Sequence, residues 1–298
     1  MKFARTLKPG FINALNELYA DRNSWWRTIA DDNDIFVLIR NNELRVQASG
    51  GLLIHISQDA QSNITCKMHE DFLSLRSEIN PYVTLDESTT TPIKRIEGLK
   101  GLAKHYPKVK RRIAIFTGKE RQAVQYLANN VKQVVDIEIG FEGELKEDAR
   151  KKSVPRIDMA AITNKGTLVF FEVKLFDNSE IRSQQTPRVV GQLKKYESLL
   201  SQYGKDIVDG YKEQLNIYSQ LKGKFFKSRT RSFSRINLYP QARLIIAGFD
   251  ASQRDIMLPP VREGIEKEYK WQNPQKDFIA TGNPKNLTKS GRLFLGLK

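Results

Sequence analysis

The sequence predicts an α/β protein in which a mixed sheet flanked by helices follows a small α+β N-terminal domain. The first reason is a change in charge balance along the chain, which indicates two domains. Residues 1–99 hold 11 Lys and Arg against 13 Asp and Glu, whereas residues 100–298 hold 38 against 21. The second reason is the order of patterns after residue 100, which runs helix, three strands, helix and a further strand. We therefore predict domains at 1–90 and 91–298.

The N-terminal segment opens with an apolar helical pattern at 9–29 that ends with Trp25 and Trp26. Three strand-like runs follow, at 34–40, 43–49 and 51–57. Asn41-Asn42 separates the first two runs and suits a tight hairpin, since asparagine tolerates positive φ. We predict a three-stranded meander packed by the opening helix, with the tryptophans in its core and at its rim; an aromatic ligand platform is the less common alternative.

The second domain follows a linker predicted at 82–97, where Ser, Thr and Pro occur without a period. Its predicted strands are 111–118, 134–141, 156–163, 166–176 and 242–249, and its predicted helices are 119–130 and 188–203.

The composition argues against several classes of protein and of metal site. No apolar run approaches the roughly 18 residues that span a bilayer, and the start MKFARTLKPG lacks the apolar segment of a signal peptide, so we expect a cytoplasmic protein with no membrane partner. Cys66 is the only cysteine, and the three histidines lack ligand spacing. A disulfide framework and a zinc site are therefore not expected.

The run 166–176 carries two charged residues in an otherwise apolar strand. Alternation places Glu172 and Lys174 on one face, where they must be paired, bind metal or lie at the strand end. Asn164-Lys165-Gly166 suits a three-residue hairpin loop after the run 156–163. Counting outward from this loop sets Asp158 opposite Glu172.

Two opposed carboxylates repel unless a cation lies between them, so Asp158 and Glu172 predict a divalent-metal site. Ligation by a few oxygens suits Mg2+, with Mn2+ as a substitute, and both ions accept phosphate oxygens. Lys174 can orient a nucleophile and stabilise the transition state. This set predicts phosphodiester hydrolysis.

Pro155-Arg156-Ile157-Asp158, then thirteen residues, then Glu172-Val173-Lys174 resembles the PD-(D/E)XK nuclease superfamily over about residues 112 to 250. The resemblance implies a restriction-endonuclease-like fold, with Asp158 and Glu172 as metal ligands and Lys174 serving the attacking water. Two residues separate the proline from the aspartate, a step that is loose in the family. A further acid from the first helix would be Glu120, which also suits a solvated helix start.

Gln192 and Tyr196 follow the ExK strand and are similar to the QxxxY motif of the lambda-exonuclease-like branch, where it helps bind substrate. The same spacing recurs at Gln122 and Tyr126 and at Gln214 and Tyr218, so a Tyr packed between helix and sheet is an equal alternative.

Two basic stretches, 104–112 and 222–235, are candidates for contacts to nucleic-acid phosphates. The second stretch also contains phenylalanines between its cations. These rings could stack on bases or pack on the core. The predicted phosphate contacts are Lys222, Lys224, Lys227, Arg229 and Arg231.

Together these features predict a magnesium-dependent deoxyribonuclease in restriction, phage defence or repair. The N-terminal domain would recognise a protein partner or a feature of the substrate, and an oligomer is compatible. The alternatives are an RNase and a non-catalytic nucleic-acid-binding or assembly protein on a nuclease scaffold.

Overall fold

The computed structural model describes residues 3–69, 82–85, 98–141, 156–182, 186–290 and 292–294. The chain forms two compact units, each assembled from separated stretches. The N-terminal unit contains Ala4–Gln125 and Gly210–Ser232, and the C-terminal unit contains Phe3 with the described residues of Tyr126–Asp209 and Phe233–Lys298. Each unit combines helices with a sheet, in agreement with the predicted α/β class. No helix in the described ranges is long and apolar enough to cross a membrane.

The N-terminal unit is built on a five-stranded antiparallel meander in chain order. Its strands are β1 (Ile35–Arg40), β2 (Glu43–Ala48), β3 (Gly51–Gln58), β4 (Ile64–His69) and β5 (Tyr82–Leu85). Its helices are α1 (Pro9–Ala20), α2 (Trp25–Ala30), α3 (Gly98–Phe116), the first part of α4 (Lys119–Asn130), the last part of α5 (Arg188–Gln220) and α6 (Lys224–Arg229).

The first three strands and their hairpin agree with the sequence prediction. Asn42 adopts φ 54° in the turn, and Trp25 and Trp26 are buried. Two further strands extend the sheet, and β5 occupies the start of the predicted linker. The rest of that linker, and the predicted boundary at residue 90, lie outside the described residues, so the boundary stays a prediction. The two compact units divide the chain at positions other than residue 90.

The predicted strand at 111–118 is wrong, because its first six residues end helix α3. Apolar side chains along this helix are buried at helical spacing, at Leu102, Tyr106, Val109 and Ile113. The predicted strand covers eight residues and contains only the last of these four positions, Ile113. The run Ile113–Phe116 therefore looks like a short buried strand, because the helical spacing is not visible within it.

The C-terminal unit is built on a mixed six-stranded sheet with the order β11-β10-β8-β7-β6, while β9 pairs with the start of β8. Its strands are β6 (Val134–Ile139), β7 (Ile157–Ile162), β8 (Thr167–Leu175), β9 (Asn237–Leu238), β10 (Arg243–Ala247) and β11 (Phe278–Thr281). Its helices are the end of α4, the first part of α5, α7 (Leu258–Glu268), α8 (Pro274–Asp277) and α9 (Lys285–Ser290). Short 3-10 turns lie at Ser179–Ile181 and Arg292–Phe294, and a π turn lies at Gln253–Met257.

Strand β8 occupies the centre of this sheet. It pairs antiparallel with β7 on one side and parallel with β10 on the other. Every residue of β8 from Thr167 to Lys174 is buried. The two charged residues of this strand therefore lie in the interior, and each needs a partner there.

Candidate active site

The turn between β7 and β8 determines how the two strands face each other. Thr163 N–H donates to Thr167 O at 2.9 Å, and Gly166 N–H donates to Thr163 O at 3.0 Å. Gly166 adopts φ 81°, and a Cβ at this position would lie 2.4 Å from Arg235 O. Only glycine fits both conditions, as the loop composition predicted.

The register that follows from this turn is the predicted one. Ile162 pairs with Leu168, and the pairing continues in step to Met159 and Phe171. The next pair outward is Asp158 and Glu172, which therefore lie across from each other on one face. Asp158 Oδ2 also accepts a hydrogen bond of 2.7 Å from the Val173 backbone N–H, which fixes this carboxylate against β8.

Glu172 and Lys174 share this face and form an ion pair, with 2.8 Å between Lys174 Nζ and Glu172 Oε1. Their neighbours on β10 are Leu244 and Ile246, so no charge lies beside them on that side. Glu172 is 1% and Lys174 is 5% exposed. The charge of Glu172 is thus compensated chiefly by Lys174, and the charge of Lys174 by Glu172 and by nearby carboxylates.

A third acid, Glu180, completes the arrangement around the lysine. Its Oε2 lies 2.7 Å from Lys174 Nζ, and its side chain is 31% exposed. The 3-10 turn Ser179–Ile181 positions it, because Asn178 caps the turn by accepting from Glu180 N–H at 2.9 Å and Ile181 is buried. The sequence prediction missed Glu180; an asparagine cap and an acid just beyond the ExK strand were the available signal.

The charge state of Lys174 follows from these contacts. Burial alone lowers the pKa of a lysine, but the charge and hydrogen bond of Glu172, with further contributions from Glu180 and Asp158, outweigh it and raise the pKa of Lys174 above its ordinary value. Lys174 is therefore an ammonium at neutral pH.

Helix α5 contributes the two predicted residues that follow the ExK strand. Tyr196 is 1% exposed, and its hydroxyl donates to Arg156 O at 2.8 Å. Burial raises the pKa of this hydroxyl, and the charges of Glu172 and Asp158 raise it further. Gln192 lies one turn earlier, and its buried Oε1 has no hydrogen-bond partner among the described residues. A buried acceptor of this kind is costly in the absence of a ligand.

The same spacing recurs later in helix α5, where it has a structural role. Gln214 Nε2 donates to Tyr218 OH at 3.1 Å, and that hydroxyl lies 3.2 Å from Val37 O in the core of the N-terminal unit. Spacing alone therefore does not identify a site, and the neighbourhood of Tyr196 distinguishes it.

Strand β6 brings a further acid to the edge of the cluster. Glu138 lies between the pairs Ile137–Met159 and Ile139–Ile157, and so stands next to Asp158 along the sheet. It adopts φ 52°, which is strained for a glutamate within a strand. Its Oε2 is 3.4 Å from Arg156 Nη1.

Two predicted residues are not placed in this cluster. Glu120 lies in the first turn of α4, in the N-terminal unit, whereas Asp158, Glu172 and Lys174 belong to the C-terminal unit. Pro155, which begins the motif, lies outside the described residues.

The predicted phosphate contacts lie in or next to α6, and they differ in exposure. Lys222, Lys224 and Lys227 are exposed, and Arg231 is half-buried. Arg229 corrects the prediction, because it is only 5% exposed and its guanidinium lies over the rings of Phe36 and Phe225, at 4.8 and 4.3 Å. Burial lowers its pKa to about 10. Phe225 and Phe226 are also buried, so they pack the core and do not offer faces to bases.

The donors of the cluster suit a small oxygen-seeking cation. Asp158 and Glu172 provide carboxylates side by side, and magnesium needs only one or two of these because it retains several waters. Across the described part of the chain, no group of three or more His, Cys, Asp or Glu side chains is arranged to hold a metal ion. A two-carboxylate site is thus the arrangement that these residues can form.

Comparisons of the chain with protein-family models, with curated proteins and with solved structures found no match.

Proposed function

We propose that the C-terminal unit is a magnesium-dependent nuclease that hydrolyses phosphodiester bonds of DNA. The supporting observation is the β7–β8 register, which sets Asp158 against Glu172 with the ammonium of Lys174 2.8 Å from the latter. Three ionisable groups on one face of two adjacent strands, two of them buried in the central strand β8, are costly for stability, and such a cost is typical of active sites.

Asp158 and Glu172 would hold the magnesium ion, and manganese would substitute for it. When bound, the ion would neutralise charge that develops on the phosphate and would acidify a water molecule. The Val173 N–H donates to Asp158 Oδ2 and keeps this carboxylate in place. Gln192 Oε1 is a buried hydrogen-bond acceptor on the same face of α5 as Tyr196. A polar group of the substrate would donate a hydrogen bond to it.

Lys174 acts as a cation in this proposal. Its ammonium lies 2.8 Å from Glu172 Oε1 and 2.7 Å from Glu180 Oε2. It donates hydrogen bonds to the reacting phosphate and stabilises the negative charge of the transition state. Glu180 keeps the ammonium in position.

The order α4, β6, β7, β8, α5, β10 is the order expected of a restriction-endonuclease-like fold, and we propose that fold for this unit. A local excess of 17 positive charges after residue 99 supports a polyanionic substrate. DNA is preferred over RNA because the ExK resemblance is to DNA-cleaving enzymes. Restriction, phage defence or repair in the cytoplasm would use such an activity.

One observation favours the alternative of a non-catalytic nucleic-acid-binding protein. Lys174 and Glu172 form an ion pair with each other, and within the described ranges no group of three or more His, Cys, Asp or Glu side chains is arranged to hold a metal ion. This ion pair compensates both charges without a metal ion.

The test is incubation with Mg2+ of linear, circular and single-stranded DNA and of matched RNA. We expect cleavage of DNA, lost in Lys174→Ala and in Glu172→Gln and retained in Lys165→Ala, which removes an exposed lysine from the same hairpin. Undiminished cleavage by Lys174→Ala would overturn the proposal, as would binding without cleavage of any substrate. Cleavage of the RNA alone would reassign the substrate.

A further inference from the structure

Helix α3 is strongly cationic. Its 19 residues contain six Lys and Arg and no Asp or Glu. Lys104, Lys108 and Arg111 are exposed at spacings of four and three residues, so they lie along one face over about 10 Å. We call these three residues the basic stripe.

The rest of the helix does not neutralise this stripe. Its apolar face is buried, and Lys110 is paired with Asp32 and Asp34 at 2.6 and 3.3 Å. Lys104, Lys108 and Arg111 form no ion pair with any described residue of the chain. The stripe therefore retains three positive charges that a polyanion could contact.

Two large apolar side chains lie at the end of this helix. Ile115 is 78% and Phe116 is 62% exposed. Ile115 lies four residues after Arg111 and continues the face of the stripe, and Phe116 follows it about 100° further round the helix, so the stripe ends in two adjacent exposed apolar side chains. An aromatic ring next to cations is the combination with which proteins hold unpaired nucleotides.

We propose that this surface of the N-terminal unit binds single-stranded DNA, with the basic stripe on the phosphates and Phe116 stacked on a base. At about 3.4 Å per nucleotide of a stacked strand, a length of about 10 Å spans roughly three nucleotides. A membrane surface fits less well, because an interfacial helix needs a whole apolar face and here that face is buried in the protein. The identification of the bound strand as substrate rests on the proposed nuclease function.

The test uses the full chain in EDTA, so that no cleavage occurs, and measures the fluorescence anisotropy of a labelled 20-nucleotide strand at several NaCl concentrations. We expect the triple variant K104Q/K108Q/R111Q to reduce the slope of log affinity against log salt by about 2, at roughly 0.7 per contact. Phe116→Ala should weaken single-strand binding about tenfold and leave duplex binding unchanged.

The matched control is K132Q/K205Q/K267Q, which removes three exposed lysines from the C-terminal unit and should have little effect. Equal effects of both triple variants would overturn the proposal. So would preferential binding to phosphatidylserine vesicles. Because binding is measured without a metal, its loss would not be confused with the absence of nuclease activity. Circular dichroism melting would show that each variant is folded.

Discussion

Lys174 is held between two carboxylates of very different exposure. Glu172 is buried in the central strand, whereas Glu180 stands on a short turn and is partly open to water. Any cation that binds Glu172 competes with the ammonium for that carboxylate. Glu180 then keeps the ammonium nearby, so the same lysine can leave Glu172 without losing every partner.

Glu180→Gln is therefore expected to weaken metal binding although Glu180 is not proposed as a ligand. With one partner lost, Lys174 pairs more tightly with Glu172, and we expect the Kd for Mn2+ to rise about fivefold, the equivalent of about 1 kcal/mol. Isothermal titration calorimetry would measure this. Asp177→Asn removes a neighbouring exposed acid and serves as the control. Equal affinities in wild type and Glu180→Gln would contradict this role of Glu180.

Single residues also mark how far the sequence could predict the site. Asp158 and Glu172 could be set opposite each other because strand pairing repeats regularly from the Gly166 turn. The position of Glu180 could not be predicted in this way, because the regular strand pairing ends with the strand. A capped turn then determines the direction of the Glu180 side chain. The burial of Arg229 depends on Phe36, which is distant in sequence, and no local pattern reports such a contact.

Glu43 predicts a pH dependence of stability in the N-terminal unit. Burial would raise its pKa, but the hydrogen bond from His55 and the charge of Arg45 outweigh this and lower the pKa to about 2. A depressed carboxylate pKa contributes stability above the unfolded value near 4.5, and this contribution is lost as the pH falls towards 2.

We expect Glu43→Gln to lower the free energy of unfolding by about 1 to 2 kcal/mol at pH 7, after allowance for solvent screening. The difference from wild type should disappear between about pH 5 and pH 2. Urea denaturation at several pH values would measure it, with Glu17→Gln on the exposed side of α1 as the control. A deficit that persisted unchanged at pH 2 would contradict the assignment.

At the scale of elements, the β7–β8 hairpin depends on its turn. Gly166→Ala would place a Cβ against Arg235 O in a backbone conformation that alanine disfavours. We expect a loss of about 2 to 3 kcal/mol in stability, together with weaker metal binding because the Asp158–Glu172 register is disturbed.

Gly264→Ala is the matched substitution in the same unit. It lies in helix α7, and nothing approaches the new Cβ within 4 Å. We expect it to stabilise the protein by up to about 1 kcal/mol, so the two variants should differ in sign. Thermal unfolding followed by circular dichroism would compare them, and equal melting temperatures would contradict the turn argument.

Elements also differ in how well the sequence predicts them. The strands of the hairpin were predictable because a loop with a defined geometry connects two apolar runs. The end of helix α3 resembles a strand in the sequence, because the apolar residues Ile113, Ile115 and Phe116 are too few to show a helical period. The periodicity that identifies a helix needs a window of at least about 11 residues.

At the scale of the whole molecule, the chain does not divide at one point. The N-terminal sheet shares its unit with Gly210–Ser232, which includes helix α6. Phe225 of that helix packs on Phe36 with ring centroids 5.3 Å apart, and Phe226 lies 6.1 Å from Trp26. All four aromatic side chains are buried. The core of this unit thus joins residues almost 200 positions apart.

A fragment of residues 1–90 is therefore expected not to fold cooperatively. Without α3 and α6 it would expose Phe36 and Trp26, and leaving a large apolar side chain exposed instead of buried costs about 1.5 to 3 kcal/mol, against a total stability of about 5 to 15 kcal/mol. We expect the fragment to bind a hydrophobic dye and to show no sharp urea transition. The full chain should show one, and Phe226→Ala in the full chain should lower its midpoint, whereas Lys227→Ala should not. A sharp urea transition of the isolated fragment would instead support the boundary that the change in charge predicted at residue 90.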